Sequence, residues 1–254
     1  MKEMKKTLTL YFLLCMCCLF CTSQISHAQN WTNATKEEVA KEFEVINSWC
    51  RNTPAYSMIV THTSYEDHTT TIPYETMSGY FKKENNNYHS YLLGIHTIQN
   101  AKYRVVVDTS NKIILIATAY NSFEEVPGIG DFEKKLDMCV ALKKSGTALE
   151  KRYRLEFDKS ASISSFEIAI YPQGMPKEVV VYYNTEMKKE ESDPNSIKVK
   201  PRAVISFTNY KTNIKFNYKE EFSESNYVTV NKDKKIVVNE RFKGYEFSDQ
   251  RVED

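Results

Sequence analysis

The fold of this protein is decided by residues 35–64, which read TKEEVAKEFEVINSWCRNTPAYSMIVTHTS. Apolar side chains recur in the first half with the 3.6-residue period of an amphipathic helix: Val39, Phe43, Ile46 and Cys50. Thr35 followed three residues later by Glu38 predicts a capping box at the start of this helix, and Pro54 predicts its end. The stretch therefore predicts a helix that leads directly into a strand and needs an apolar surface to cover.

The chain that follows has the pattern of a meander of strands. Runs rich in Tyr, Thr and Val alternate with short polar turns, and the predicted strands are Tyr56–Ser64, Tyr74–Lys83, Tyr88–Leu93, Tyr103–Asp108 and Lys112–Ala119. A parallel pair needs a crossover of about a dozen residues, and these turns are shorter. Neighbouring strands are therefore predicted to be antiparallel.

A second amphipathic helix is predicted from Phe132 to Lys144. It follows a Pro-Gly-Ile-Gly breaker at 127–130, with Asp131 as N-cap and Gly146 as a stop. Its predicted apolar stripe consists of Phe132, Leu136, Cys139 and Val140.

Alternating strands then resume and continue almost to the end of the chain. They include Arg152–Phe157, Phe166–Ile170, Val179–Tyr183 and Ala203–Phe207, and a hairpin of Tyr227–Val230 with Ile236–Asn239; the charged residues 186–200 are predicted to form a surface loop. No Pro/Gly/Ser linker divides residues 29–254, which predicts a single domain. We expect the α+β class: a strongly curved antiparallel sheet of about ten or more strands, an unclosed β-barrel, with the two amphipathic helices on its concave face.

This order of elements resembles the periplasmic outer-membrane lipoprotein carriers, the LolA-like superfamily. The resemblance rests on the helix Thr35–Cys50, the meander with Met77–Phe81 and Tyr103–Asp108, the inserted helix Phe132–Lys144 and the returning strands through Pro201–Phe207. It is a likeness of pattern, and no motif carries a functional residue of the family to a position here. It implies an unclosed barrel with a helical lid over a hydrophobic cavity that holds acyl chains, and hence a lipid or acylated protein as ligand.

The residues expected to line such a cavity come from both predicted helices and from the apolar faces of the strands. They are Phe43, Ile46, Tyr103, Val105, Val107, Leu136, Val140, Phe166, Ile168, Ile170, Ile205 and Phe207. A trough lined in this way serves either as a ligand cavity or as a packed core, and the pattern alone favours the core for any single position.

The first 28 residues have the layout of a secretory signal peptide. Three lysines precede an apolar run from Leu8 to Phe20, and Ser26-His27-Ala28 predicts a cut after Ala28. We therefore expect a periplasmic protein without an integral membrane span. Phe20 before Cys21 argues against processing as an outer-membrane lipoprotein.

Charge and motifs exclude several classes of function. Without its first 28 residues the chain has 31 basic and 32 acidic residues, and this mixed, neutral balance argues against nucleic acid as a partner. Nucleophile motifs, phosphate loops and metal-ligand spacings are absent, so we expect no enzyme, no cofactor and no metal. Two functions remain: a carrier for a lipid or acylated protein, and a non-catalytic module that binds a cell-envelope protein.

Two cysteines, Cys50 and Cys139, remain after the predicted cut. A bridge between them is compatible with an oxidising periplasm. Both lie on predicted apolar helix faces, where a free cysteine behaves as a small buried hydrophobe, and we therefore favour two buried thiols.

Overall fold

The structure is a computed structural model that describes residues 30–119, 132–189 and 196–252. Residues from Trp31 onward form one compact unit. The predicted signal peptide, the breaker at 127–130 and Asp131 lie outside the described residues.

Strands dominate the described residues. The helices are α1 (Lys36–Asn52), α2 (Phe132–Asp137) and α3 (Tyr218–Glu221), with 3-10 turns at Glu224–Asn226 and Glu240–Phe242. The strands are β1 (Thr32–Asn33), β2 (Ala55–Tyr65), β3 (Glu75–Glu84), β4 (Asn87–Leu92), β5 (Ile95–Gln99), β6 (Tyr103–Asp108), β7 (Ile113–Thr118), β8 (Cys139–Gly146), β9 (Lys151–Phe157), β10 (Ile163–Ile170), β11 (Pro176–Tyr183), β12 (Met187–Lys188), β13 (Lys198–Val199), β14 (Arg202–Thr212), β15 (Val228–Val230), β16 (Ile236–Val238) and β17 (Glu246–Gln250).

Thirteen of these strands form one curved, unclosed sheet in the order β1-β8-β9-β10-β11-β14-β2-β3-β4-β5-β6-β7-β17. The predicted α+β fold with an open antiparallel sheet is confirmed. One pair departs from the prediction, because β17 lies parallel to β7 at the edge of the sheet. Strand β5 was also missed, since residues 94–102, between the predicted strands Tyr88–Leu93 and Tyr103–Asp108, were assigned to no strand.

Helix α1 forms as its sequence predicts. The Thr35 hydroxyl accepts from the backbone N–H of Glu38, and the Glu38 carboxylate accepts from the N–H of Thr35. Val39, Phe43, Ile46 and Cys50 are its buried residues. The helix therefore lies on the sheet along the stripe that the 3.6-residue period indicated.

The prediction of a second helix is wrong beyond the first turns of that helix. Only Phe132–Asp137 is helical, and Cys139–Gly146 is strand β8, paired with β9. Apolar residues at 132, 136, 139 and 140 fit a helical period, but a strand starting at Cys139 satisfies the backbone groups of β9 at the sheet edge.

The hydrophobic core is divided between the two faces of the sheet. The first core lies under α1, on the face that we call the inner face, and includes Ile46, Ile168 and Phe207. The second core contains Ile98, Val105, Val107, Ile114 and Ile116 with Tyr227 and Val228.

Strand register places the second core on the opposite face. Tyr88 packs against the first core and pairs with Gln99, whereas its neighbour His89 pairs with Ile98. Successive side chains on a strand point to opposite faces. Ile98 therefore points to the outer face, where residues 213–245 cover it and its neighbours in the second core.

Two further predictions concern the hairpin near the end of the chain and the charged residues 186–200. The hairpin near the end forms as β15 and β16. Within residues 186–200, which were predicted to be a loop, the described residues include a short antiparallel pair of β12 with β13.

The two cysteines are free, as we favoured, but only one is fully buried. Cys50 is buried, whereas Cys139 is half-buried on β8 and its thiol donates to the backbone carbonyl of Lys135.

Gly79 marks the point where β3 and β4 approach too closely for a side chain. A Cβ atom at this position would lie 1.8 Å from the backbone carbonyl oxygen of Tyr91. Because backbone cannot move aside as a side chain can, Gly79→Ala is expected to lower the free energy of unfolding by about 3 kcal/mol, measured by urea denaturation. Ser78→Ala at the exposed neighbouring position is the control, with an expected change of less than about 0.5 kcal/mol. Equal stability of the two variants would show that the strands can separate here without cost.

Candidate functional site

Most residues predicted to line a cavity meet beneath helix α1. The first core brings together residues from α1, α2, β10 and β14: Phe43, Ile46, Leu136, Phe166, Ile168, Ile170 and Phe207, with Ile205 partly buried against them. The helix stripe faces the apolar positions of the strands across the inner face, as the predicted lid requires.

These side chains pack tightly enough to exclude water. Ile168 and Phe207 are 0 % exposed and Ile46 is 1 % exposed. Burial of this completeness is typical of a packed core. In this structure the trough under α1 is therefore filled by the protein's own side chains.

The remaining predicted residues lie elsewhere. Val105 and Val107 are buried in the second core, with Tyr103 packed against them, so they do not share a face with α1. Val140 is 65 % exposed on β8, since the predicted helix is a strand there. These four residues cannot line one cavity with Phe43.

Ion pairs join α1 to α2, β8 and β9. Lys36 pairs with Asp137 at 3.2 Å, Glu38 with Lys144, and Glu42 with Lys151 at 2.7 Å. Exposed pairs of this kind contribute little free energy each, about 0–1 kcal/mol. The ion pairs favour one orientation of α1 on the sheet. Burial of the apolar stripe supplies most of the free energy that holds the helix there.

A row of aromatic rings crosses the inner face beside the C-terminal end of α1. Successive ring centroids are 4.8–5.9 Å apart, in the order Tyr210, Trp49, Tyr56, Phe81 and Tyr88. We call these five residues the aromatic row. It extends the apolar inner face from the helix to β4, where Tyr88 is partly exposed.

Lys83 and Cys50 lie next to the aromatic row in a poorly solvated environment. The Lys83 ammonium donates to the backbone carbonyl of Thr53 at 3.0 Å, at the end of α1. Burial lowers the pKa of Lys83 and raises the pKa of the Cys50 thiol. Tyr56 has a pKa well above its ordinary value, again because of burial. This arrangement satisfies the helix terminus and leaves a protonated thiol, which is a poor nucleophile.

Beyond the aromatic row, the inner face of β4–β7 continues as an apolar strip. Its members are Leu92, Ile95, Val106 and Leu115, which we call the inner strip. Leu92 pairs with Ile95, and Val106 pairs with Leu115. Ile95 is 40 % exposed and the others are partly buried. The inner strip thus offers apolar surface on the inner face that is only partly covered.

Exposed hydrophobic side chains collect at one end of the sheet. This end, which we call the rim, is where β2, β4, β6 and β11 end and β3, β5, β7, β8 and β14 begin. Of the fourteen large hydrophobic side chains exposed among the described residues, nine lie at the rim: Ile72, Tyr74, Leu93, Ile95, Ile113, Met138, Val140, Met187 and Ile197. Single exposed apolar residues are ordinary, and the nine at one end of the sheet make the rim a candidate interaction surface.

The β4–β5 turn at the rim carries a leucine in a conformation that leucine rarely adopts. Leu93 has a φ of 54° and is 42 % exposed. The other non-glycine residues with positive φ in the described ranges are asparagine or lysine: Asn85, Lys112, Asn209, Asn213 and Lys234. Asparagine would fit this turn with less strain. The turn therefore presents an apolar side chain to solvent at a cost in stability, as functional sites often do.

The described ranges contain neither a cluster of metal ligands nor a membrane-spanning helix. No group of three or more His, Cys, Asp or Glu residues there is placed to hold a metal ion. None of the helices described has the length and hydrophobicity needed to cross a bilayer.

Comparisons with known proteins find likeness of fold and none of sequence. No family model and no curated protein matches the chain. A LolA superfamily protein from Nitrosomonas europaea is similar, with a TM-score of 0.31 and 9 % identity over 74 % of this chain and 98 % of that one. The predicted resemblance to LolA-like structures is confirmed.

Two other solved structures are also similar. An uncharacterized conserved protein from Thermus thermophilus gives a TM-score of 0.43 at 8 % identity, over 84 % of this chain and 99 % of that one. A DUF1329 family protein from Desulfovibrio piger gives 0.31 at 8 % identity, over 74 % and 98 %. At these TM-scores we transfer no function from any of the three.

Sequence reasoning missed the inner strip and the rim. Ile95 was omitted because β5 was not predicted, and Leu115 was not separated from its neighbours in the continuous apolar run at 113–116. The signal that could have found the rim is the turn Leu92-Leu93-Gly94-Ile95, which is apolar where hairpin turns are usually polar.

Substitution under α1 distinguishes a core from a cavity. Ile168→Ala removes a fully buried side chain, and we expect a loss of about 2–5 kcal/mol in the free energy of unfolding. Val237→Ala, at a position 59 % exposed, is the control and should change stability by less than about 0.5 kcal/mol. Urea denaturation of both variants gives the comparison, and a small loss at Ile168 would indicate that its side chain borders empty space.

Proposed function

We propose that this protein is an exported, non-enzymatic binder of a lipid or an acylated protein. The acyl chain lies on the inner strip and enters at the rim. The observation that carries the proposal is the concentration of exposed hydrophobic side chains at the rim, continuous with the inner strip through Ile95.

The chemistry of this surface suits an acyl chain. Val106 and Leu115 supply aliphatic surface on adjacent strands, and the aromatic row closes one side of the inner strip. Each methylene group removed from water contributes about 0.8 kcal/mol. A flexible aliphatic ligand gains free energy here without a hydrogen-bonding partner.

The proposal places the ligand beside α1, which differs from a cavity beneath it. Ile46, Ile168 and Phe207 are already buried against one another, so a ligand under α1 would have to displace the first core. Binding on the inner strip leaves that core intact. The strain at Leu93 supports this location, since a turn optimised only for stability would carry asparagine or glycine.

The first test is direct identification of bound lipid. The protein is purified without detergent and analysed by native mass spectrometry, and its organic extract is then analysed for acyl chains. We expect an added mass that disappears on extraction, and uptake of a fluorescent fatty acid by the extracted protein. An empty protein that also takes up no probe would contradict the proposal.

Substitution at Leu93 separates function from stability. We expect Leu93→Asn to keep or raise the free energy of unfolding, because asparagine tolerates positive φ, and to weaken fatty-acid uptake several-fold. Val237→Asn, which exposes the same new side chain on β16, should leave uptake unchanged. Equal uptake by both variants would place the ligand away from the rim.

A second candidate function is a module that binds a cell-envelope protein. It is favoured by the edge of β8, where residues 139–141 extend beyond the short β1 and Val140 is 65 % exposed. Sheet edges of this kind can pair with a strand of another protein. Co-purification of a stoichiometric protein partner with a lipid-free chain would favour this function.

A further inference from the structure

The outer face of β4–β7 is covered by the chain's own C-terminal segment, residues 213–245, which we call the C-terminal cover. Phe222 and Val228 of this segment are 0 % exposed, and Val228 packs in the second core with Val105 and Ile114. If the C-terminal cover lifts, the apolar outer face of these strands is exposed to water. The contacts that hold it therefore control access to that face.

A network of polar side chains joins the C-terminal cover to the sheet next to this apolar contact. The Lys82 ammonium contacts both carboxylate oxygens of Glu221 at 2.7 and 2.8 Å. Nδ1 of His89 lies 3.3 Å from Glu221 Oε2, and its Nε2 lies 3.0 Å from the hydroxyl of Tyr80. Glu221 belongs to the cover, whereas the other three residues belong to β3 and β4.

A neutral His89 fits this geometry. With the proton on Nδ1, the ring donates to the Glu221 carboxylate and accepts the Tyr80 hydroxyl at Nε2. A second proton at Nε2 would keep the contact with Tyr80, because the hydroxyl oxygen can also accept, but it would add a positive charge to a side chain that is only 9 % exposed. The nearby carboxylate of Glu221 is already paired with the Lys82 ammonium through both of its oxygens, so this second cation is poorly compensated.

The charged and titratable groups that lie around His89 come from several elements. They are Lys82 and Tyr80 on β3, Tyr91 on β4, His96 on β5, Glu221 on α3, Tyr227 and Arg241. Burial lowers the pKa of His89, and Lys82 and His96 lower it further, against the opposing effect of Glu221. Burial, with Arg241, also lowers the pKa of His96.

We propose that Glu221, His89, Lys82 and Tyr80 form a pH-sensitive clasp that holds the C-terminal cover on the outer face at neutral pH and releases it as the pH falls. The clasp acts on the cover locally, and α1 with the first core stays in place. The inference does not depend on the proposed ligand.

The direction of the pH effect follows from linkage. In the open form His89 is solvated and titrates near its ordinary value of 6.5, whereas in the closed form its pKa is lower. Below pH 6.5 the open form therefore takes up a proton that the closed form does not, and opening becomes more favourable until the pH reaches the closed-form value. Glu221 has a lowered pKa in the closed form, so its own contribution is lost only below its ordinary value of 4.5.

The network does not have the properties of a catalytic triad. The pKa of Tyr80 is raised to about 12, mainly by burial, so its hydroxyl is a weak nucleophile at neutral pH. Both nitrogens of His89 are occupied within the protein. The arrangement fits a structural clasp better than an active site.

Amide hydrogen exchange of the full chain between pH 7.5 and 5.5 tests the clasp. After correction for the intrinsic effect of pH on exchange, we expect amides of residues 218–230 to open more often at pH 5.5, by up to about tenfold from His89 alone, while those of α1 do not change. His89→Gln keeps a donor and an acceptor but cannot titrate, so its response to pH should be clearly smaller than that of the wild type; the response that remains is expected from His96, which contacts Tyr227 of the cover and whose pKa is also lowered by burial. His68→Gln, at a histidine bonded to the carbonyl of Tyr183 far from the cover, is the matched control and should retain the wild-type response.

Several results would overturn the proposal. One is a wild-type cover whose corrected exchange does not change with pH. Another is a His89→Gln variant with the full wild-type response, in particular if His96→Gln abolishes it. Should His89→Gln fail to fold, the pKa of His89 in the wild-type protein can be measured by NMR, and a value at or above 6.5 would also exclude the clasp.

Discussion

The structure depends on one constraint, which is that a single continuous sheet presents its apolar positions on opposite faces in its two halves. In β9 and β10 the buried residues Leu155 and Ile168 face α1, whereas in β6 and β7 the buried residues Val105 and Ile114 face away from it. Because the apolar positions of the two halves lie on opposite faces, a single covering element cannot shield both halves from water. The fold therefore needs α1 on the inner face and the C-terminal cover on the outer face.

This constraint explains which parts of the fold could be predicted from the sequence and which could not. Helix α1 was predictable because its capping box and apolar stripe are local, and Thr35 and Glu38 form the predicted contacts. The face that each strand buries was not predictable, since it depends on the pairing of Tyr88 with Gln99 and His89 with Ile98 rather than on either strand alone. The parallel pairing of β17 with β7 joins residues more than 130 positions apart and leaves no local signal.

The residues of the candidate site could also be predicted only in part from the sequence. The predicted cavity residues were selected because they are apolar and alternate, and that property describes core and ligand surface equally well. Ile168 and Phe207 proved to be core, and Val105 belongs to the other face. The residues that distinguish the site are those that break a local rule. Leu93 adopts a positive φ that favours asparagine or glycine, and Ile95 remains exposed beside it.

The inner strip and the clasp share strand β4, and the C-terminal cover packs on the outer face of β5, whose inner face belongs to the inner strip. Ile95 faces the inner side and the next residue, His96, faces the outer side, where its ring contacts Tyr91 and Tyr227. Lifting the C-terminal cover removes packing from the outer face of the same strands that present the inner strip. If an acyl chain binds only the ordered strip, as proposed, it would oppose that loosening and by reciprocity make protonation of His89 less favourable. Under the two proposals, acidification and acyl-chain binding would then act in opposite directions on the same part of the sheet.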